Sequence, residues 1–186
     1  AYFKLEPIDV TASRILNSNP LSVTIIEKSE LELSHPNSPL NNAFRNTPGL
    51  FALSDFNNVQ DARISIRGFG SRSNFGIRGI KILIDGIPES TPDGQGQMDN
   101  ISINYIDKIN IFRGPTSLLF GNASGGAINL ISKQPENRNF FEASMIINSF
   151  YDRSLTFLIN RKNNILNWNL QTDIQYLRGH RDHSST

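Results

Sequence analysis

The sequence predicts an α+β domain of short strands, short helices and long glycine-rich loops, followed by longer antiparallel strands of a different kind. Three observations predict it. From about Arg63 to Lys133, apolar residues recur with period two in short runs. Loops rich in glycine, serine and asparagine separate those runs. After residue 136 come three runs of about ten residues, apolar on one face and amide-rich on the other, joined by short turns.

Residues 1–20 read as an extended leader, interrupted by Pro7 and Pro20 and without helical periodicity. SVTII (Ser22–Ile26) is β-branched and short, and predicts a strand. EKSELEL follows as a short helix. Ser38-Pro39 offers an N-cap with proline at the first helical position. That helix carries Leu40, Ala43 and Phe44 on one side and ends at Thr47-Pro48-Gly49. RISIRG, KILIDG, KINIF and AINLIS are then four strands, the second closed by the tight-turn pair Asp85-Gly86.

The stretch FRGPTSLLFGNASGGAINLISK (Phe112–Lys133) raises a chemical question, since glycine-rich loops cradle phosphates. A P-loop needs a lysine after its last glycine and a helix behind it. Gly121–Gly126 has neither, because a strand follows. Its glycines read as geometry: Gly114-Pro115 turns the chain, Thr116 caps a short helix over Ser117–Phe120, and Gly121, Gly125 and Gly126 give a tight path into AINLIS. Gly68-Phe69-Gly70 fails as a dinucleotide fingerprint, since its third glycine falls at Gly76.

In the third region Phe141, Ala143, Met145 and Ile147 alternate with Glu142, Ser144 and Asn148, with Ile146 breaking the pattern. Leu155, Phe157 and Ile159 alternate with Ser154, Thr156 and Asn160. Trp168, Leu170, Ile174 and Tyr176 alternate with Asn167, Asn169, Gln171, Asp173 and Gln175. Two architectures share this pattern. One is the opening of a transmembrane β-barrel, with Phe141, Tyr151, Trp168 and Tyr176 as interfacial aromatics. The other is a soluble antiparallel sheet with one wet face. Three strands at a chain end make a poor unit by themselves. The barrel reading therefore expects further strands beyond the ending HRDHSST.

Composition narrows the chemistry. A net charge of +1 argues against nucleic acid as a partner. There is no cysteine, hence no disulfide framework and no thiolate metal site. No run of 18 apolar residues signals a transmembrane helix. AYFKLEPIDV lacks the parts of an intact signal peptide and suits a mature end left after cleavage. His180, Asp182 and His183 match no closed zinc spacing, so no metal site is expected. No cofactor motif and no catalytic triad stand out. One charge feature does: Arg63, Arg67, Arg72, Arg78 and Lys81 fall between Ala62 and Ile84 with no acid among them. Arg72 and Arg78 share GFGSRSNFGIRG with Phe69 and Phe75. Guanidinium groups beside aromatic rings suit an anionic, partly planar ligand. Arg63, Arg67 and Lys81, in strands, equally suit structural pairing with acids elsewhere.

RISIRGFGSRS, KILIDGIPESTPDGQGQ and IDKINIFRGPTSLLFGNASGGAINLISK together resemble the plug domain of TonB-dependent outer-membrane receptors. SPLNNAFRNTPGL is similar to the plug's early helix and its Pro-Gly turn. LEPIDVTA resembles a TonB box, the extended segment gripped by the energy-transducing protein TonB. The resemblance implies a plug over residues 21–135, a TonB-box segment within 1–20, and the first strands of a plugged barrel over 136–186. Such barrels have about 22 strands.

It further implies a non-enzymatic receptor of the bacterial outer membrane, set among its lipids. TonB, with its inner-membrane energising complex, would drive uptake of a scarce nutrient by pulling on Glu6, Pro7, Ile8, Asp9, Val10, Thr11 and Ala12. Two plug loops, Phe69–Arg78 and Pro88–Met98, would meet the ligand through Phe69, Arg72, Phe75, Arg78, Asp93, Gln95 and Gln97. Arg67 and Arg113 match positions that pair with barrel acids. The loop sequences resemble a subgroup with receptors for pyrroloquinoline quinone, and also receptors for ferric chelates. The rival expectation is a soluble ligand-binding or structural β module with no transport role.

Overall fold

Isoleucine-rich runs separated by turns give many short strands, and five of them close into one sheet. The computed structural model of the chain describes residues 22–33, 40–53, 63–73, 76–91, 93–98, 100–147, 152–164 and 166–176. The leader with Glu6–Ala12, the pair Ser38-Pro39, Phe75, Tyr151, and His180, Asp182 and His183 lie outside the described residues. In chain order the elements are β1 (Ser22–Glu27), α1 (Lys28–Leu33), a 3₁₀ turn at Leu40–Phe44, β2 (Leu50–Leu53), β3 (Arg63–Ile66), β4 (Ile77–Arg78), β5 (Ile80–Ile84), β6 (Ile87–Pro88), β7 (Gln95–Gly96), a 3₁₀ turn at Ile103–Tyr105, β8 (Ile106–Arg113), α2 (Ser117–Phe120), β9 (Gly126–Ser132), β10 (Phe140–Ile147), β11 (Arg153–Lys162) and β12 (Asn167–Tyr176).

The main sheet runs β1-β8-β9-β5-β6. β5 and β9 are parallel; the other neighbours are antiparallel. Ile82, Ile109, Ile111, Ile128 and Leu130 point to one face and are fully buried. Leu31, Phe44, Ile64, Ile66, Ile77 and Met98 cover them. The opposite face is also covered, by a smaller cluster of Leu83, Phe112 and Ala127 with Val23 and Phe120 packed against it. Lys81, Lys108, Asn110 and Asn129 share that second face, which keeps the period-two alternation of apolar and polar residues in these strands.

The predicted helix after Ser38-Pro39 is only the 3₁₀ turn Leu40–Phe44. The pair Asn41-Asn42 has weak helix propensity. Phe44 anchors the turn, and Thr47 N and Leu50 N close the next two steps on Phe44 O and Thr47 O. RISI forms a strand as predicted, yet it pairs with Leu50–Leu53 in a separate ribbon. At Asp85-Gly86 both residues have positive φ, 51° and 82°, as a two-residue hairpin turn demands, and Ile84 faces Ile87 across it. The Asp85 carboxylate also reaches β9, accepting from Ser132 N at 2.8 Å and Ser132 Oγ at 2.7 Å. Thr116 caps nothing with its side chain. Its hydroxyl and its backbone N–H both donate to Ala123 O, pinning the loop around α2.

β10, β11 and β12 form a separate antiparallel sheet. Its register stacks Phe141, Ile159 and Leu170 in one row and Met145, Leu155 and Ile174 in another. This apolar face points away from the rest of the protein: Phe141 is 64%, Leu170 56% and Ile174 57% exposed. The polar rows point inward. Ser154 and Asn160 are buried, and Thr156, Asn169, Gln171 and Asp173 are half-buried. Asn104 Nδ2 donates to Thr156 Oγ1, and a cavity of about 200 Å³ between the sheets is lined by Glu142, Ser144 and Gln171 from the wall side and by Lys28, Leu31 and Ile103 from the other. A soluble sheet would bury the opposite face. A barrel wall has this polarity, polar inside and apolar outside.

The connecting strap, residues 133–139, is fastened on both sides. Lys133 N donates to Tyr105 O in the main body, and Lys133 O accepts from Asn169 in the wall. The Asn160 carboxamide holds Glu136 at both its N–H and its carbonyl, each at 2.9 Å, and also donates to Arg138 O.

Candidate functional site

The two loops expected to meet a ligand are joined by a ladder too short to read from sequence. β4 and β7 pair Ile77 with Gly96 and Arg78 with Gln95. Arg78 thereby points a guanidinium nitrogen at Asp93 Oδ2 (3.4 Å) and Gln95 Oε1 (3.5 Å). Both partners are well exposed, so this ion pair contributes little stability. Its effect is placement: it sets a cation and two polar side chains on one rim.

Asp93 is the hub of that rim. The Thr91 hydroxyl donates to its carboxylate, and Gln95 N donates to the same oxygen at 3.3 Å. These two bonds, with a smaller contribution from Arg78, hold the Asp93 pKa below the ordinary 3.8. The carboxylate is therefore charged at neutral pH and partly neutralises Arg78. Thr91 was not expected from sequence. Nothing but its spacing of two from Asp93 signals it.

Phe69 sits beside this rim and remains half-exposed. The root of its side chain lies against Gly125, where an added Cβ would meet Phe69 Cβ first and fall 2.9 Å from Cγ. Gly125 N donates to Gly79 O at 2.8 Å, and Asn122 packs its amide on Gly94. The loop GNASGG thus touches both of these loops, and its glycine at 125 is required for close approach. Asn122 joins GNASGG to the turn at Gly94, a contact that the glycine-rich sequence of this loop does not signal. Arg72 is exposed and has no partner among the described residues. Gln97 is exposed on the segment after β7.

Arg67 and Arg113 come together around the Pro48-Gly49 turn. Arg113 Nη1 donates to Pro48 O at 2.7 Å, and its Nε is buried without a partner among the described residues. Arg67, in a positive-φ conformation, donates its N–H to Gly49 O and lays a guanidinium nitrogen near Gly114. Neither has an acid partner among the described residues. These arginines and the β4–β7 ladder lie toward the Gly126 end of the main sheet. Asp85, Ser132 and the strap lie at the other end.

Comparison with known proteins bears on this arrangement. Residues 16–128 match the family model for the TonB-dependent Receptor Plug Domain. The chain is 28% identical over 138 residues to the vitamin B12 transporter BtuB of Vibrio vulnificus, covering 71% of this chain and 21% of that protein. It is 29% identical over 146 residues to the pesticin receptor of Yersinia enterocolitica, covering 74% and 20%. Among solved structures, the siderophore receptor PiuA of Acinetobacter baumannii superposes with a TM-score of 0.60 at 26% identity, over 80% of this chain and 20% of that one. The ferric-catecholate import receptor Fiu of E. coli K12 gives 0.63 at 23% identity, over 87% and 22%, and shares the fold. The chain spans about a fifth of the length of these relatives.

Proposed function

The chain belongs to the TonB-dependent receptor plug domain family, and on that premise we propose that the whole protein imports a scarce nutrient across the bacterial outer membrane. The carrying observation is the polarity of β10–β12. That sheet turns its amides toward the plug and its apolar face outward, which suits a barrel wall with a plug behind it. The transport relatives carry names of receptors and transporters, not enzymes, and the work needs no catalytic residue. It is mechanical, and TonB with its inner-membrane complex supplies it from outside.

In this reading residues 21–135 are the plug and 136–186 the first wall strands. Glu6–Ala12 form the TonB box, which binds by adding a strand to a partner's sheet edge. Phe69, Arg72, Phe75, Arg78, Asp93, Gln95 and Gln97 face the ligand, with Asn122 beside them. Among the described residues the Nε of Arg113 has no partner and the guanidinium of Arg67 has no acid, which supports their pairing with barrel acids. The basic, aromatic rim suits an anionic ligand that offers a planar group. Pyrroloquinoline quinone and an anionic ferric chelate are both compatible with it, and calorimetry on the full-length receptor separates them.

Deleting Leu5–Ala12 from the full-length protein tests the transport reading. Uptake should stop while ligand affinity stays unchanged. Uptake that survives the deletion removes the TonB box from these residues.

A further inference from the structure

The main body and the β10–β12 sheet meet along a seam that is well bonded at one end and short of donors at the other. At the bonded end lies the strap, residues 133–139, which reads KQPENRN, with a proline and no glycine. A freely moving linker is rich in glycine and serine. This one is sewn to the sheet by asparagines. Asn160, 1% exposed, binds Glu136 at its N–H and its carbonyl and donates to Arg138 O. Asn139 Oδ1 accepts from Lys162 N at 2.7 Å, and Asn167 Nδ2 donates to Asn137 Oδ1 at 3.3 Å. Lys133 marks the division between the two bodies. Its N–H donates to Tyr105 O on one, and its carbonyl accepts from Asn169 on the other.

Farther along the same strands the seam changes character. Asn104 crosses it to Thr156 at 3.4 Å, beside the cavity of about 200 Å³. On the inward rows there, Gln171 Oε1, Asp173 Oδ1 and Ser154 Oγ are buried with no partner among the described residues. Stranded groups of this kind carry a desolvation cost that water relieves. Parting the two bodies at Gln171, Asp173 and Ser154 therefore breaks little and hydrates what was stranded. Parting the strap breaks the three hydrogen bonds of Asn160 in a buried setting, where each is worth more. The seam yields first at its starved end and last at the strap.

Resting on the transport reading above, we propose that Asn160 is a positioning residue for transport. It keeps the strap on the wall as a fixed pivot while the main sheet moves away from Gln171, Asp173 and Ser154 and then returns in register. The moving body ends at Lys133, directly after β9, and the strap belongs mechanically to the wall. Asn160 serves this role through its amide: Oδ1 takes the Glu136 N–H, and Nδ2 takes two carbonyls. A carboxylate has no donor for those carbonyls, and a hydroxyl cannot serve all three groups.

The test puts the full-length receptor in planar bilayers and displaces the plug with urea, reading ion conductance as the lumen opens and as it closes after urea is removed. Hydrogen exchange in the same urea reads the strap, and heat-shifted gel mobility confirms a folded barrel. In the parent, the Glu136 amide should stay protected while those of Ile82 and Ile128 exchange. Asn160→Ala should speed Glu136 exchange about tenfold. It should open at the same urea concentration yet close about fivefold more slowly. A residue that only stabilised the fold would shift the opening and leave the closing rate alone. Glu136 exchanging together with Ile82 in the parent overturns the proposal, as does an unchanged closing rate in Asn160→Ala; both leave the transport reading standing. If Asn160→Ala does not assemble, Asn139→Ala with Asn167→Ala cuts two ties at exposed positions. That pair should also slow closing, and normal closing overturns the pivot. A parent receptor that never conducts in urea overturns the plug-in-barrel reading and this proposal together.

Discussion

Asp85→Ala tests how the far end of the main sheet is held. The Asp85 carboxylate accepts from Ser132 N and Ser132 Oγ at 2.8 and 2.7 Å. Ser132 is buried, 5% exposed, so the variant leaves its N–H without a partner. Stranding a buried donor costs about 1–3 kcal/mol. Asp85 also has a φ of 51°, a region alanine tolerates less well than aspartate. Asp85 is itself exposed, and water recovers part of the loss, which leaves about 2 kcal/mol. That corresponds to roughly a 30-fold rise in the local opening constant. Asp85→Asn keeps an acceptor for Ser132 N and tolerates the positive φ, so it should cost under about 1 kcal/mol. Hydrogen exchange at Ser132 and Lys133 in the folded full-length receptor reads both variants. If alanine leaves those amides as protected as in the parent, or asparagine exposes them equally, the carboxylate does not hold this end.

Gly125→Ala should push Phe69 off its seat and weaken ligand binding at least tenfold without unfolding the sheet, as calorimetry and circular dichroism would record. Arg72→Ala with Arg78→Ala should weaken binding of an anionic ligand; unchanged affinity removes both from the site. The Asp93 turn should be pH-sensitive only in acid. Its pKa is lowered on folding, so its contribution is complete above 3.8 and is lost as pH falls through the lower folded value. Amide shifts of Thr91 and Gln95 should therefore stay flat through neutrality and move below 3.8; movement near neutral pH would contradict the Thr91 and Gln95 hydrogen bonds to this carboxylate.

Local signals carried most of the fold. Asp85-Gly86 specified its turn because only a few residues accept two successive positive φ values, and the strands around it followed from β-branched alternation. Long-range choices were not legible. Nothing in RISI says that it pairs with Leu50–Leu53, and nothing in KILI says that it lies parallel to AINLIS. The β4–β7 ladder has two residues per strand, below the length at which alternation means anything. Alternation in β10–β12 gave the two faces but not which one is buried. The sign came only from packing, with Asn104 on Thr156 and Asn169 on Lys133. In the candidate site, Arg78, Asp93 and Gln95 stand out in sequence as charged or polar loop residues, but their shared rim does not. Asn122 and Thr91 do not stand out, because their role depends on which loops touch.

The order of the main sheet also bears on how the chain assembles. β1 at residue 22 lies against β8 near residue 110, and β5 lies against β9 more than forty residues later. Contacts of such separation close slowly, because a long loop must be ordered before any is formed. β10–β12 is a plain meander in which every strand pairs with its chain neighbour, so it can form fast. The wall strands should therefore be in place before the plug sheet is complete. Asn160, gripping the strap at Glu136 and Arg138, then tethers an unfinished plug at the surface it must end up against. A refolding time course should show protection at Asn160 and the strap before protection at Ile82 and Ile128.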